Sequence, residues 1–313
     1  MANDIGDSRM LSLSEEELND HPSVKDIESR KRVANSPKFE FHMFSETEVA
    51  KSLANLNPSK TAGHDRISPR ILLTASTQLA PSLTRIFNKC IEDRHWPTEW
   101  KRGDWVAVYK KDDQKDIKNY RPVTALTAVD KVFEQLLCTQ VSNYIEPYLN
   151  RSLTAYRKKN SCETTLIKLV KGWKMSLDNK DMVGVLSTDL SKAFDSLHPM
   201  LLLAKLKAYG FNDSAIRLLR SYFSERKKLV KIGMEFTSEW KTVLGGCPQG
   251  SNFGPLLRNI FQNDLVFNIN NSGLTMYADD HQMYSHGERM EDVEKTLTVK
   301  RGNIFSVGTR RIC

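Results

Sequence analysis

A chain of 313 residues that is 40% apolar can bury a substantial core, as one large domain or two modest ones, which excludes a disordered polypeptide. Lys and Arg outnumber Asp and Glu by 46 to 38, a modest basic excess that attracts polyanions without naming a partner. Five cysteines, Cys90, Cys138, Cys162, Cys247 and Cys313, are scattered without a CxxC pair, and no stretch approaches the ~18 apolar residues of a membrane span; a disulfide framework, a zinc site and a spanning helix are set aside, and a soluble, intracellular chain in a reducing compartment is expected.

Residues 1–41 are polar and charged and read as a flexible lead-in that adds little to the core. Ser45 with Glu48 forms a capping box for a helix through Ala54, which Asn57-Pro58 ends. Lys60-Thr61-Ala62-Gly63-His64-Asp65 falls in a loop. Ile71, Leu72, Leu79, Leu83, Ile86 and Phe87 keep helical spacing up to Cys90, and Trp96-Pro97 breaks it. Asp104–Tyr109 and Tyr120–Leu126 read as two strands joined by a basic polar tip, Lys110–Lys118. Helical periodicity returns over Val129–Tyr144 and Thr164–Leu177, so the pattern is mixed α+β. Val183–Asp189 is short and apolar enough for a buried strand. A helix follows over Pro199–Tyr209, with proline in its first turn and Gly210 just past its end. Leu229–Gly233 and Phe236–Leu244 suggest a hairpin and Gly250–Asn268 a helix. Leu274–Tyr277 and His281–Tyr284 flank a tight turn, a second hairpin.

Three carboxylates stand at the ends of these apolar runs: Asp189 after one strand, and Asp279 with Asp280 at the second hairpin. Desolvating an unpaired carboxylate is costly, so acids in such places usually have cations as partners, and hard divalent ions such as Mg²⁺ suit them. Asp is also a favoured turn residue, and taken alone the Asp279-Asp280 pair is explained by that preference.

Asp189-Leu190-Ser191-Lys192-Ala193-Phe194-Asp195, Gly246-Cys247-Pro248-Gln249-Gly250-Ser251 and Tyr277-Ala278-Asp279-Asp280 occur in the order and at about the spacing of the palm motifs of reverse transcriptases. Upstream, Lys60–Asp65 and Asn119-Tyr120-Arg121-Pro122-Val123 resemble the fingers motifs of that family. The resemblance runs from about Ser45 to Tyr284 and is nearest to the non-LTR (LINE-like) retrotransposon branch.

The resemblance implies an α+β right-hand polymerase fold: fingers with the start of the palm over 42–180, a palm with an antiparallel sheet packed on helices over 181–293, and a truncated segment over 294–313 in place of the thumb. It implies an RNA-directed DNA polymerase, a nucleotidyltransferase that adds deoxynucleotides to a primer 3′-hydroxyl by two-metal phosphoryl transfer. Its partners would be an RNA template, a DNA primer and deoxynucleoside triphosphates, with no membrane, and its cofactor two Mg²⁺ ions, or Mn²⁺ in their place. By the same match Asp189, Asp279 and Asp280 are the catalytic metal ligands and the Leu190 carbonyl is a further ligand. Phe194 matches the gate under the incoming sugar; a core aromatic beside Ala193 is the alternative. Gln249 and Gly250 match the loop bordering the nascent base pair, against a plain hairpin-to-helix connection. Arg121 and Lys110 match the cations that meet the triphosphate, with Lys111 an alternative to Lys110. Lys60, Arg66 and Arg70 would lie near template phosphates, although each taken singly also reads as a solvated charge. The runs Arg157-Lys158-Lys159 and Arg226-Lys227-Lys228 read the same way. Asp195 is explained by helix capping and is left out of the catalytic set.

Two features depart from the family. Arg258 stands where an aromatic residue is usual, and if buried it needs a partner. Lys295–Cys313 carries none of the pattern expected at the start of a thumb, and no endonuclease-like segment precedes the fingers. An inactive, truncated retroelement relic that only binds nucleic acid is therefore the alternative function. Another polymerase or nuclease sharing only carboxylates and metals is disfavoured by Gln249-Gly250 and Tyr277–Asp280 occurring together with Arg121.

Overall fold

The computed structural model describes residues 13–30, 37–116, 119–189, 197–232, 236–243, 245–268 and 273–299. A capping box between Ser14 and Glu17 opens α1 (Glu15–Asn19), and Pro22 stands in the first turn of α2 (Pro22–Ser29). Leu18, Val24 and Ile27 of this pair are buried, as are Phe39 and Phe41. That corrects the expectation of a lead-in with little share in the core: the apolar residues are sparse, but helical spacing gathers them on one side, where α1 and α2 pack on α8 (Pro199–Tyr209). The next segment is extended, and its backbone bonds are closed from outside. The Phe39 amide donates to the Gly210 carbonyl and the Asn212 amide to the Phe39 carbonyl, each at 2.9 Å. The side-chain amides of Gln140 and Asn88 each both accept from and donate to the backbone of His42 and Phe44 respectively.

The Ser45 capping box opens α3 (Glu46–Ala54) as expected. The helical run before Trp96 is two helices, α4 (Pro69–Thr74) and α5 (Ser76–Asp93), divided at Ala75. α6 (Ala128–Ile145), α7 (Cys162–Asp178), α9 (Asp213–Phe223) and α10 (Gly254–Gln262) complete the named helices, and residues 290–299 are also helical. The helix expected over Gly250–Asn268 is shorter, beginning at Gly254 and tightening to a 3₁₀ turn at Asn263–Asn268. Phe133 of α6 stacks on Phe87 of α5 with centroids 5.0 Å apart and lies 4.7 Å from Trp96. This aromatic group belongs to one continuous apolar cluster that runs from Leu18 to Met283.

Two sheets flank these helices. In the first, β1 (Arg102–Tyr109) pairs antiparallel with β2 (Tyr120–Ala125) and parallel with β4 (Lys227–Ile232). β5 (Phe236–Thr237) and β6 (Lys241–Thr242) both pair antiparallel with β4, which is the expected hairpin. The second sheet is antiparallel, in the order β3 (Met182–Asp189), β8 (Asp280–Gly287), β7 (Gly273–Tyr277). No described helix is long and apolar enough to cross a membrane.

Candidate active site

The second sheet brings the acidic positions together through its register. Asp189, the last residue of β3, is the Cα partner of Asp280, the first of β8, and Asp280 is also the partner of Tyr277 at the end of β7. The turn is Ala278-Asp279, with Ala278 at φ +57°. Asp279 is half-buried and Asp280 exposed. Asp189 is placed here by its backbone alone, and Leu190, Phe194 and Asp195 lie outside the described residues.

Two further segments hold this hairpin. Residues 152–154 run along the free edge of β7: the Met276 amide donates to the Ser152 carbonyl at 2.8 Å and the Thr154 amide to the Met276 carbonyl at 2.9 Å. α10 reaches the turn, where Gln262 Nε2 donates to the Ala278 carbonyl at 3.4 Å. One turn earlier on α10, Arg258 is 1% exposed, and Nε, Nη1 and Nη2 have no hydrogen-bond partner among the described residues. Burial lowers its pKa to about 10, opposed by the charge of Asp279. His281 Nε2 is likewise buried without a partner, and burial, followed by the Arg258 charge, lowers that imidazole to about 4. Tyr156, at φ +58°, also feels this site. Partial burial and then the charge of Asp279 raise its phenol, while Arg121 lowers it, so this ring, still 56% exposed, feels both the acidic turn and β2. Tyr156 was not singled out from the sequence; its position between an apolar stretch and three basic residues was the signal available.

The Gly246–Ser251 loop is fixed on β2. The Thr124 amide donates to the Gln249 carbonyl at 2.7 Å. Gly250 sits at φ +117°, and a Cβ there would lie 2.5 Å from the Thr124 carbonyl oxygen. Gly63 of the Lys60–Asp65 loop approaches the same strand exit, its missing Cβ only 2.7 Å from the Thr127 amide nitrogen. Beneath the loop, buried Glu134 accepts Ser251 Oγ at 2.8 Å, the Asn252 amide at 2.7 Å and Tyr222 Oη at 3.0 Å. Ser251 Oγ in turn accepts the Phe253 and Gly254 amides, closing the start of α10. Burial raises the Glu134 pKa, against the pull of Arg226 and these donors. No local sequence signal marks this network, since its members are up to 118 residues apart.

The expected cations divide. Arg121 on β2, Lys110 beyond β1, and Lys60, Arg66 and Arg70 are all exposed. Lys110 keeps the hairpin closed through its backbone amide, which donates to the Asn119 carbonyl at 2.8 Å. Two residues of the basic runs are structural instead. The Arg157 guanidinium bonds the Asn150 and Leu153 carbonyls and Glu146. Arg226 is buried, packs over Tyr222 and donates to the Tyr222 carbonyl. Both side chains serve loops that need a donor inside the fold, so neither is a free phosphate contact.

Carboxylates are hard oxygen donors of the kind that suits Mg²⁺, and Asp279 and Asp280 stand in and beside the turn that the backbone of Asp189 pairs with. Among the described side chains no three His, Cys, Asp or Glu converge on one point. The residues fit the ion in type and register, and the buried cation Arg258 is the discordant neighbour.

Residues 108–302, more than half of the chain, match the family described as reverse transcriptase (RNA-dependent DNA polymerase). The chain is 27% identical over 247 residues to the probable RNA-directed DNA polymerase from transposon X-element of Drosophila melanogaster, covering 76% of this chain and 27% of that protein. It is 26% identical over 225 residues to the RNA-directed DNA polymerase from mobile element jockey of the same species, covering 70% and 24%. A third relative is the putative 115 kDa protein in type-1 retrotransposable element R1DM, also of Drosophila melanogaster, 26% identical over 253 residues and covering 79% and 24%. The chain thus spans about a quarter of the length of these curated relatives.

Proposed function

This chain belongs to the reverse transcriptase family, and from that premise we propose that it is the polymerase core of a non-LTR retrotransposon enzyme that copies an RNA template into DNA. The observation that carries the proposal is the register of Asp189 opposite Asp280 with Asp279 in the adjoining turn. Three acids from separated segments gather enough negative charge to hold paired divalent cations. Magnesium ions bound there would supply the Lewis acidity that activates the primer 3′-hydroxyl and stabilises the leaving pyrophosphate.

The protein's own groups do the rest. Asp189, Asp279 and Asp280, with the Leu190 carbonyl, form the ligand set. Exposed Arg121 grips the triphosphate with its fork of donors, and Lys110 adds a second charge. Gln249 and Gly250 border the nascent base pair, and their support on Thr124 keeps that wall rigid. Phe194 lies under the sugar and disfavours a 2′-hydroxyl. Lys60, Arg66 and Arg70 contact template phosphates without reading sequence. In this reading 42–180 are fingers with the start of the palm and 181–293 are palm.

Mg²⁺-dependent extension of a DNA primer on an RNA template tests the reading. Wild type extends and Asp279→Asn does not; equal, background-level signals from the two reject catalysis by this chain. A second reading, nucleic-acid binding without catalysis, is favoured by one observation, the unpartnered guanidinium of Arg258 beside Asp279.

A further inference from the structure

Arg258 and Gln262 are four residues apart on α10 and share a helix face. Gln262 reaches the Ala278 carbonyl, so that face is the one under the acidic turn. The Arg258 side chain is buried there, and among the described residues none of its three nitrogens has a hydrogen-bond partner and no carboxylate forms a salt bridge with it. Gln262 Oε1 and His281 Nε2, also in this layer, are buried without partners. A guanidinium cannot shed its proton near neutral pH, so it keeps a full positive charge in a place where water does not solvate it. Such a charge demands a negative one, and Asp279, next to the Ala278 carbonyl that Gln262 of the same helix face holds, is the acid that the turn brings to this face.

We propose that Arg258 is a resident counter-charge to Asp279 that competes with divalent cations for this carboxylate and weakens metal binding at the site. The inference rests on the carboxylate and metal reading above. The Arg258 guanidinium and the ion would share one half-buried acid, where Coulomb attraction is stronger than in bulk water. Arg258 is therefore a positioning residue acting through Asp279, and it makes the chain demand more metal than its acids alone would require.

Mn²⁺ binding to the metal-free protein, read by electron paramagnetic resonance, tests this without any turnover. Arg258→Met and Arg258→Gln are expected to tighten Mn²⁺ at least about tenfold, roughly 1.4 kcal/mol, while Arg258→Lys, which keeps the charge, stays within about twofold of wild type. Unchanged or weaker binding in both neutral variants overturns the proposal. Asp279→Asn in the Arg258→Met background separates the two readings. If it leaves Mn²⁺ affinity unaltered, the metal-ligand reading fails; if it abolishes tight binding while Arg258→Met alone matches wild type, only the counter-charge fails.

A second measurement needs no change in the core. In metal-free protein Asp279→Asn should lower the melting temperature, because it strands the buried guanidinium, while Asp280→Asn should raise it by relieving repulsion among the acids. A rise or no change for Asp279→Asn also overturns the proposal.

Discussion

The carbonyl of Gln249 accepts the Thr124 amide at 2.7 Å, so the loop that leads into α10 is hydrogen-bonded directly to β2 of the first sheet. Gly250, next in sequence, closes on the same residue, and its φ of +117° with a Cβ-to-oxygen approach of 2.5 Å leaves no room for a side chain. Gly250→Ala is expected to cost about 1–3 kcal/mol, the range for a residue forced into a sparse backbone region. Urea unfolding checks this, and an unaltered midpoint rejects the close approach.

Arg121 is exposed on β2, opposite Val108 in the register. Its replacement should therefore change stability by no more than about 0.5 kcal/mol. Arg121→Ala should nevertheless raise the KM for deoxynucleotides about tenfold, equivalent to ~1.4 kcal/mol, with Arg121→Lys intermediate because it keeps charge but loses the fork. Steady-state primer extension with varied nucleotide decides; an unchanged KM removes Arg121 from the nucleotide site.

Asp130 is fully buried on α6, where its Oδ1 accepts the Trp96 indole N–H at 2.9 Å. Burial and then the Glu134 charge push its pKa well above the ordinary 3.8, against Arg226, the Trp96 bond and Lys131. The folded state thus holds a proton that the unfolded chain releases. This contribution to stability is complete below 3.8 and is lost as pH rises through the elevated folded value. Asp130→Asn keeps an acceptor for Trp96 and removes the titration, so its stability relative to wild type should grow with pH and then level off. Urea midpoints from pH 5 to 9 measure the difference; a gap that is constant or shrinks with pH contradicts the assignment.

Lys205 Nζ meets Asp264 Oδ1 at 2.6 Å and the Phe261 carbonyl at 2.7 Å, with both charged side chains almost wholly buried. Lys205→Met should cost about 3–5 kcal/mol by leaving Asp264 short of its cation. The double change Lys205→Met with Asp264→Leu should recover most of that loss. Thermal denaturation of the four proteins closes the cycle, and additive losses would show that the two charges are not coupled.

Local signals read correctly where the cause was local. Pro199 and Gly210 bracket α8 as its capping pattern predicts, and the Ser45–Glu48 box starts α3. The β7–β8 turn was legible from its flanking strands, and with it the place of Asp279 and Asp280. Helix α9 has an Asn212 cap and a strongly one-sided apolar pattern, signals as local as those of α8 and α3 although no helix was expected there. α1 and α2 are short and polar on average, so composition hid their buried residues Leu18, Val24 and Ile27. The parallel pairing of β1 with β4 joins segments more than 100 residues apart, and no window of sequence contains both. Arg157 and Arg226 bond carbonyls only four to seven residues away, and a basic run looks alike whether its arginine faces water or turns back onto its own backbone.

The bond from Thr154 Oγ1 to the Met276 carbonyl spans 122 residues, and it braces the hairpin that carries the acidic turn. Closing loops of that size is slow, and the strand pairing that sets Asp189 beside Asp280 must wait for it. A nascent chain that has not yet emerged past β8 therefore has no site at all, and one proteolytic cut between the two anchors should undo it while leaving the aromatic cluster around Phe133 intact.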